Sequence, residues 1–295
     1  MDEQRFNKVF IGSGLVAELF LHALIRHKGE SPEDFYILGK NEERCERLRK
    51  KYQIRATTNF NAFVSKAKVI VLAVDVNDLD DIPEMIEMIR DNVPPHALIN
   101  SVTPKLSIAQ IEKFFPNHPV MRLSLSFSMI NGNSVGTYFC GSVDPEDTAP
   151  VAKFLIECFG ELIEVETEEE FEKVHDIIFA QNCSNYLAIN SFIDSYIKLG
   201  LSPQVARKIA ANTYKGVGET FSEKYKDDTL RRMFDFKGVF NKGLEVMENL
   251  GMTDAIKNVH EIQPEVIKKN LQASAPTTYR SPDADKFKFR YKTWD

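Results

Sequence analysis

Val9-Phe10-Ile11-Gly12-Ser13-Gly14-Leu15-Val16-Ala17 decides how this chain is read. The three leading apolar residues read as a short strand, the glycines as a turn, and Leu15 onward as a helix. The spacing G-x-G-x-x-A is the dinucleotide-binding fingerprint. Gly12 permits the tight turn out of the strand. Gly14 lets the backbone come close to a pyrophosphate, and Ala17 is small enough for helix and strand to pack. The helix then points its unpaired N–H groups and its positive dipole end at the phosphates. Surface turns also collect glycines, so the context matters. Ala17 to Leu24 continues as an apolar helix, and a second strand, Asp34 to Leu38, closes a βαβ unit near the expected length of about 30 residues. Gly12, Ser13, Gly14, Leu15, Val16 and Ala17 are therefore read as cofactor-binding.

The second strand ends in Gly39-Lys40-Asn41. An acid at this place would hydrogen-bond the ribose 2′-hydroxyl of NAD. None stands here, and Lys40 and Arg44 are the nearby charges. Both suit a 2′-phosphate, so the expected cofactor is NADP, and Gly39, Lys40 and Asn41 join the cofactor set. The competing reading makes Lys40 and Arg44 solvated residues of a charged helix start, since Glu42 to Lys51 is rich in charge.

Outward from there the first half alternates strands and helices. Val69 to Val74 is a continuous apolar run, as a strand buried on both faces requires. Ala97 to Ser101, Pro119 to Leu123 and Val135 to Phe139 read as further strands. Helical patterns lie over Leu79 to Arg90 and Ser107 to Phe114, the latter capped by Ser107. This is a doubly wound sheet of Rossmann type. Ligands of such sheets lie beyond the carboxyl ends of the strands. The rim so defined runs through Gly12–Ala17, Gly39–Asn41, Ala73–Val76 and Asn100–Thr103, and it adds Ala73, Val74 and Ser101 to the cofactor set.

Composition bounds the class. The chain has 295 residues and a formal net charge of -6, which argues against nucleic acid or an anionic membrane as main partner. No apolar run is long enough to span a bilayer, and the charged stretch Met1 to Lys8 is unlike a signal peptide. Cys45, Cys140, Cys158 and Cys183 are scattered and form no C-x-x-C pair, so they read as reduced thiols of a cytoplasmic protein. No spaced ligand set supports a metal site.

The character changes near Glu164. Thr167 with Glu170 is a capping-box signature, and the acids Glu168 to Glu170 suit the dipole of the helix that follows. That helix runs to about Leu199, and another follows from Gln204 to about Tyr225. Shorter helices are expected around Thr229, Gly243 and Thr253. Ala273 to Asp295 has no periodicity and reads as a tail ordered only if it docks. The expected organisation is a Rossmann domain over 1–165, an all-α domain over 166–270 and a tail over 271–295.

The order of parts resembles pyrroline-5-carboxylate reductase, from roughly Lys8 to His260. Phe10-Ile11-Gly12-Ser13-Gly14-Leu15-Val16-Ala17-Glu18 looks like that family's opening motif, including its Ala-Glu pair. Val69 to Val74 is similar to its strand ending in Ala-Val. Arg122 stands where the family has an Arg before Met-Pro-Asn. Leu199-Gly200-Leu201-Ser202 with Ala206 and Gly216, and Gly243-Leu244-Glu245-Val246-Met247 with Leu250-Gly251, resemble its helical segments. The resemblance implies an NADP-dependent oxidoreductase and dimerisation through the all-α domain.

The departures fall on the chemistry. Asp75-Val76 replace Lys-Pro. Ser124-Leu125-Ser126-Phe127 replace Met-Pro-Asn-Thr. Gln181 to Tyr186 replace Ser-Gly-Ser-Gly-Pro-Ala-Tyr, and Asp235-Phe236-Lys237-Gly238-Val239-Phe240 replace the carboxylate-binding Ser-Pro-Gly-Gly-Thr-Thr. In this chain Asn182, Ser184, Asn185 and Tyr186 offer donors to a substrate and are the catalytic candidates. Spacing sets Asn182 and Asn185 on neighbouring turns of one helix face. The alternative is that they hydrogen-bond within the helix or face solvent. Lys237 reads as a carboxylate anchor or, more readily, as a surface residue, and Arg122 as a site residue or, more readily, a strand-end ion pair. Cys183 reads as a buried, inert thiol.

Two functions follow. One is hydride transfer from NADPH to a small imine or related carbonyl, with weak or absent activity on pyrroline-5-carboxylate because two hydroxyls of that pocket are missing. The other is a nucleotide-binding regulator or sensor of the same fold. A small-molecule substrate and a homodimer are the expected partners.

Overall fold

The computed structural model describes residues 6–74, 82–104, 106–141, 145–221 and 239–258. Eight strands form one sheet in the order β3-β2-β1-β4-β5-β6-β7-β8. These are β1 Lys8–Ile11, β2 Phe35–Leu38, β3 Arg55–Thr57, β4 Val69–Leu72, β5 Leu98–Ser101, β6 Val120–Leu125, β7 Ser134–Cys140 and β8 Gly160–Glu164. β1 lies in the middle and pairs in parallel with β2 on one side and β4 on the other. The chain order reverses at β1, which makes its carboxyl end the switch point.

Strands β1, β2, β4 and β5 are buried throughout; β2 and β4 are unbroken apolar runs, while β1 opens on the buried Lys8 and β5 ends in the buried Asn100 and Ser101. On one face Phe10, Val71, Leu98 and Leu123 pack under Ala17, Phe20 and Leu24. Val9, Ile70, Leu72 and Ile99 pack on the other against Ile86, Ile89, Ile111 and Phe115. The helices are α1 Leu15–Leu21, α2 Glu42–Tyr52, α3 Ile82–Ile89, α4 Ile108–Phe114, α5 Pro145–Cys158, α6 Glu168–Lys198, α7 Pro203–Phe221 and α8 Val239–Asn249. Residues 252–258 are also helical.

The structure amends the expected sheet in several places. β7 runs antiparallel to β6, so the sheet is not wholly parallel. β3, β8 and α5 add elements that periodicity did not reveal. The first helix is α-helical only to Leu21 and continues as a π-helix over His22–His27. Asp34 lies in a short 3₁₀ turn before β2. The capping box at Ser107 forms in full. At Thr167 only half of one forms, because the Glu170 carboxylate accepts from the Glu166 N–H instead of closing back onto Thr167. The segment around Thr229, Asp75–Val76, Asp235 to Gly238 and the tail from Ala273 lie outside the described residues. Val239 and Phe240 open α8, and only their backbone is described.

Glu18 ties α1 to α2, taking Lys51 Nζ at 2.8 Å and Arg47 Nη1 at 2.7 Å. Burial raises its pKa, but the hydrogen bonds from Lys51 and Arg47 outweigh that and hold the carboxyl below its ordinary 4.5. A carboxyl depressed in the fold stabilises fully above its unfolded pKa, and the benefit is lost as pH falls through the folded value. Glu18→Gln is therefore expected to flatten the acid limb of stability. Melting temperatures followed from pH 7 to pH 3 should fall less steeply in the variant, and parallel curves would remove Glu18 from the account.

Candidate functional site

The site is assembled at the carboxyl ends of β2, β1, β4 and β5. The Gly12 N–H donates to Leu38 O at 2.8 Å, and Ala73 N–H donates to Ile11 O at 2.9 Å, so the turn is stitched to both neighbouring strands. Gly12 has φ +115°, and a Cβ there would meet Ala73 O at 2.3 Å. Only glycine fits. Gly14 differs: it has φ −81°, and a Cβ would meet nothing within 4 Å. Gly14 is the N-cap of α1 and supplies no side-chain cap. The first N–H groups of α1 therefore face open space at the rim, an arrangement that suits an anion.

The other cofactor candidates divide. Ser13 is buried, and its Oγ lies 2.5 Å from where a Gly39 Cβ would stand, with Cys45 Sγ at 3.2 Å from the same point. Its hydroxyl is thus turned to Gly39 and Cys45, and its backbone N–H is the group at the turn. Val16 is half-buried, Ala17 fully buried, and Leu15 stays exposed beside the open space. Asn41 caps α2 by accepting from the Arg44 N–H at 2.8 Å. Lys40 is exposed and lies 3.7 Å from the Glu84 carboxylate. Ala73 and Val74 are nearly buried, and the Thr103 hydroxyl accepts from the Val74 N–H at 3.1 Å. Ser101 is buried and accepts from the Thr103 N–H at 3.3 Å, so its hydroxyl serves the loop after β5. Asn100 beside it is fully buried, and neither end of its amide has a partner among the described residues.

The catalytic candidates lie along the middle of α6. Asn182 Nδ2 donates to Ile178 O at 2.9 Å, and Ser184 Oγ to Ala180 O at 3.0 Å. Both follow the back-bonding pattern of polar residues inside helices. Asn185 is exposed and takes Gln181 Nε2 at 3.4 Å. Tyr186 is exposed and meets Phe127, just beyond β6, edge-on at 6.1 Å. Cys183 corrects an expectation: it is exposed, because nothing in the described chain covers that side of α6. Crowding around its sulfur still pushes the thiol pKa up. The buried thiols are Cys45 and Cys158, the latter pushed up to about 12 by desolvation. Among the described residues no group of three or more His, Cys, Asp or Glu is placed to hold a metal, and no helix is long and apolar enough to cross a membrane.

Sequence reasoning missed how α6 is fastened to the sheet. Arg122 on β6 is 2% exposed and holds Glu168 at 2.8 Å and Glu172 at 2.7 Å. Its guanidinium lies 4.3 Å from the Phe171 ring centre. Glu168 also accepts from the Ile108 N–H at 2.7 Å, which joins the start of α4 to the same point. The structural reading of Arg122 stands. One turn further along α6, His175 Nδ1 lies 2.7 Å from Ser124 Oγ, and its ring stacks on Phe171. Only the acid-rich helix start, Glu168 to Glu172, signals the Arg122 network in the sequence, and nothing signals the Ser124–His175 pair.

Comparison with known proteins places these features. Residues 8–104 match the family described as NADP oxidoreductase coenzyme F420-dependent, and residues 168–264 match the pyrroline-5-carboxylate reductase dimerisation family. A pyrroline-5-carboxylate reductase of Synechocystis is 24% identical, over 83% of this chain and 91% of its own length. Pyrroline-5-carboxylate reductase 1 of Bacillus subtilis is 23% identical, over 90% of this chain and 91% of its own. Among solved structures, the Plasmodium falciparum pyrroline carboxylate reductase with NADP bound superposes with a TM-score of 0.74 at 19% identity, covering 89% of this chain and 97% of that one. The Coxiella burnetii enzyme gives 0.72 at 18% identity, covering 90% and 98%. A glycine turn at the switch point of an eight-stranded sheet, followed by a long helical segment that matches the dimerisation family, makes the chain similar in fold and order of parts to the pyrroline-5-carboxylate reductases.

Proposed function

We propose that this protein is an NADP-dependent oxidoreductase that moves hydride to a small imine or related carbonyl compound. The observation that carries the reading is the open, uncapped start of α1 at Gly14, beside a Gly12 that admits no side chain. The residues present fit a dinucleotide there. The backbone of Gly12 to Ala17 would hold the pyrophosphate, Lys40 and Arg44 would meet a 2′-phosphate at the start of α2, and Ala73 and Val74 would bound the nicotinamide half. The cofactor supplies the hydride. The chain's own part is to orient the acceptor, to exclude water and to deliver a proton to the atom that receives the electron pair. Asn182, Ser184, Asn185 and Tyr186 are proposed to line the acceptor side, with Asn182 and Ser184 also bonded within α6.

NADPH is expected to bind more tightly than NADH, because no acid opposes the 2′-phosphate at Gly39 and Lys40 stands beside it. Fluorescence titration of both cofactors measures this, and equal affinities would count against it. Steady NADPH oxidation against a panel of cyclic imines and small ketones tests the activity. Pyrroline-5-carboxylate should be a poor member of that panel, with kcat/KM below the usual enzyme range of ~10⁴–10⁸ M⁻¹s⁻¹. The regulatory reading draws on the back-bonding of Asn182 and Ser184. Firm NADPH binding with no turnover across the panel would favour it.

The helical segment is proposed to form a homodimer in the cytoplasm. Ile177, Leu187, Phe192 and Ile197 on α6, and Val205, Val217 and Phe221 on α7, are exposed in the single chain, while Phe171 and Ile178 are buried against the sheet. A second copy would cover that face. Light scattering at micromolar concentration should give about twice the chain's 33.7 kDa; a monomer would refute the assembly.

A further inference from the structure

The sheet does not end at one level. The last row of β5 is Ser101 opposite Arg122, yet β6 continues through Leu123, Ser124 and Leu125, paired with β7. This overhang stands above the rim by about 3.3 Å per residue, so Ser124 lies about 7 Å beyond the end of β5. It stands on the β4–β5 side of the switch point, the side away from Lys40 and Asn41. A dinucleotide held with its ribose 2′-phosphate at β2 would have its other half on the β4–β5 side, where this wall would bound it.

The face of the wall that carries Arg122 and Ser124 is covered by α6. From β7 the same face presents Val135, Thr137 and Phe139, none of which is ionisable. Arg122 is taken up by Glu168 and Glu172. His175 rests on Ser124, and the helical stripe above it, at i+3, i+7 and i+11, is Ile178, Asn182 and Tyr186. Tyr186 reaches Phe127, directly after the overhang. The imidazole therefore sits at the foot of the acceptor side, between the rim and the candidates on α6.

Resting on the function proposed above, we infer that His175, seated by Ser124, is a catalytic residue of this site: it donates the proton when a C=N or C=O group is reduced. The acceptor carbon takes the hydride and its electron pair. The π pair of the double bond moves onto nitrogen or oxygen, which takes a proton from the imidazolium of His175. The resulting neutral imidazole regains its proton from water. Ser124 is a positioning residue that sets the ring through Nδ1.

The decisive measurement needs no turnover. Protein labelled with carbon-13 at histidine is titrated with NADP⁺ and NADPH, the His175 signal being assigned by its loss in His175→Gln. His96 and His118 precede β5 and β6 at the amino ends of these strands, opposite the rim, and act as internal controls. The expected result is movement of the His175 signal with both cofactors, a nuclear Overhauser contact from its ring to a nicotinamide proton, and still controls. Cofactor binding that leaves His175 unmoved overturns the assignment and leaves the function proposed above intact. Failure of either cofactor to bind overturns both. With an accepted substrate in hand, His175→Gln should lower kcat by about 100-fold with cofactor affinity held within about twofold. Ser124→Ala should lower kcat about tenfold, with KM unchanged, if the hydroxyl only orients the ring. Variants that keep full kcat would also overturn the assignment, once circular dichroism shows them folded.

Discussion

Gly12→Val and Gly14→Val, two positions apart in one turn, should produce opposite phenotypes. At Gly12 the new Cβ would fall 2.3 Å from Ala73 O and 2.9 Å from Ala73 C, both backbone atoms of the central sheet, at φ +115°. Neither the clash nor the dihedral can relax without moving β4. Strain and overpacking together should destabilise the fold by on the order of 4 kcal/mol. At Gly14 the dihedral is ordinary and the space is open, so Val is accommodated in the free protein. Its branches fill the place a pyrophosphate would occupy. Thermal melts should therefore show a large loss for Gly12→Val and almost none for Gly14→Val. NADPH titration of the folded Gly14→Val protein should show affinity down by at least about 100-fold, or roughly 2.8 kcal/mol. Normal binding by Gly14→Val would mean that the cofactor does not cross this turn.

Arg122→Met should be the most destabilising change outside that turn. It leaves Glu168 and Glu172 without their cation and α6 without its main fastening to β6. Removing one partner of a buried ion pair costs about 3–5 kcal/mol. The two glutamates keep 30% and 26% exposure, so water can reach them and the lower figure applies. For a chain of 295 residues about 3 kcal/mol corresponds to a fall of roughly 5 °C in melting temperature. Adding Glu168→Gln and Glu172→Gln should recover part of the loss, because the single variant leaves two like charges where the guanidinium stood. A melting point within a degree of the parent would show that α6 is held by its apolar contacts alone.

The central sheet was legible because physics forces its sequence. Strands buried on both faces are largely apolar, as Val69 to Leu72 are throughout, and a turn with φ +115° against a carbonyl must be glycine. β3 has three residues, only one of them buried, and β8 is largely exposed and carries two glutamates. Neither has the alternation or the continuous run by which a strand announces itself. The long helix α6 was visible from its acidic, capped start, whereas the antiparallel direction of β7 was not, since periodicity says nothing of direction. The glycine turn proposed to hold the cofactor was legible as a local motif. The proposed acceptor side was not, because its contacts join residues far apart: Arg122 meets Glu168 across 46 positions, and Ser124 meets His175 across 51. Spacing within α6 pointed to Asn182 and Asn185 and passed over the histidine that the sheet itself touches.

Gly39 has a consequence for anyone who would re-engineer the coenzyme choice of this protein. Installing an acid after β2 is the obvious route to an NAD-dependent variant, since that carboxylate would bind a free 2′-hydroxyl and repel a phosphate. Here the first carbon of such a side chain would fall 2.5 Å from Ser13 Oγ and 3.2 Å from Cys45 Sγ. Ser13 belongs to the glycine turn and Cys45 to the buried face of α2, so the acid would push on the cofactor loop from behind. Preference at this position is thus a matter of volume before it is a matter of charge. Gly39→Asp alone should disable the site, and a switch would begin with Cys45→Ala and Ser13→Gly to clear the space.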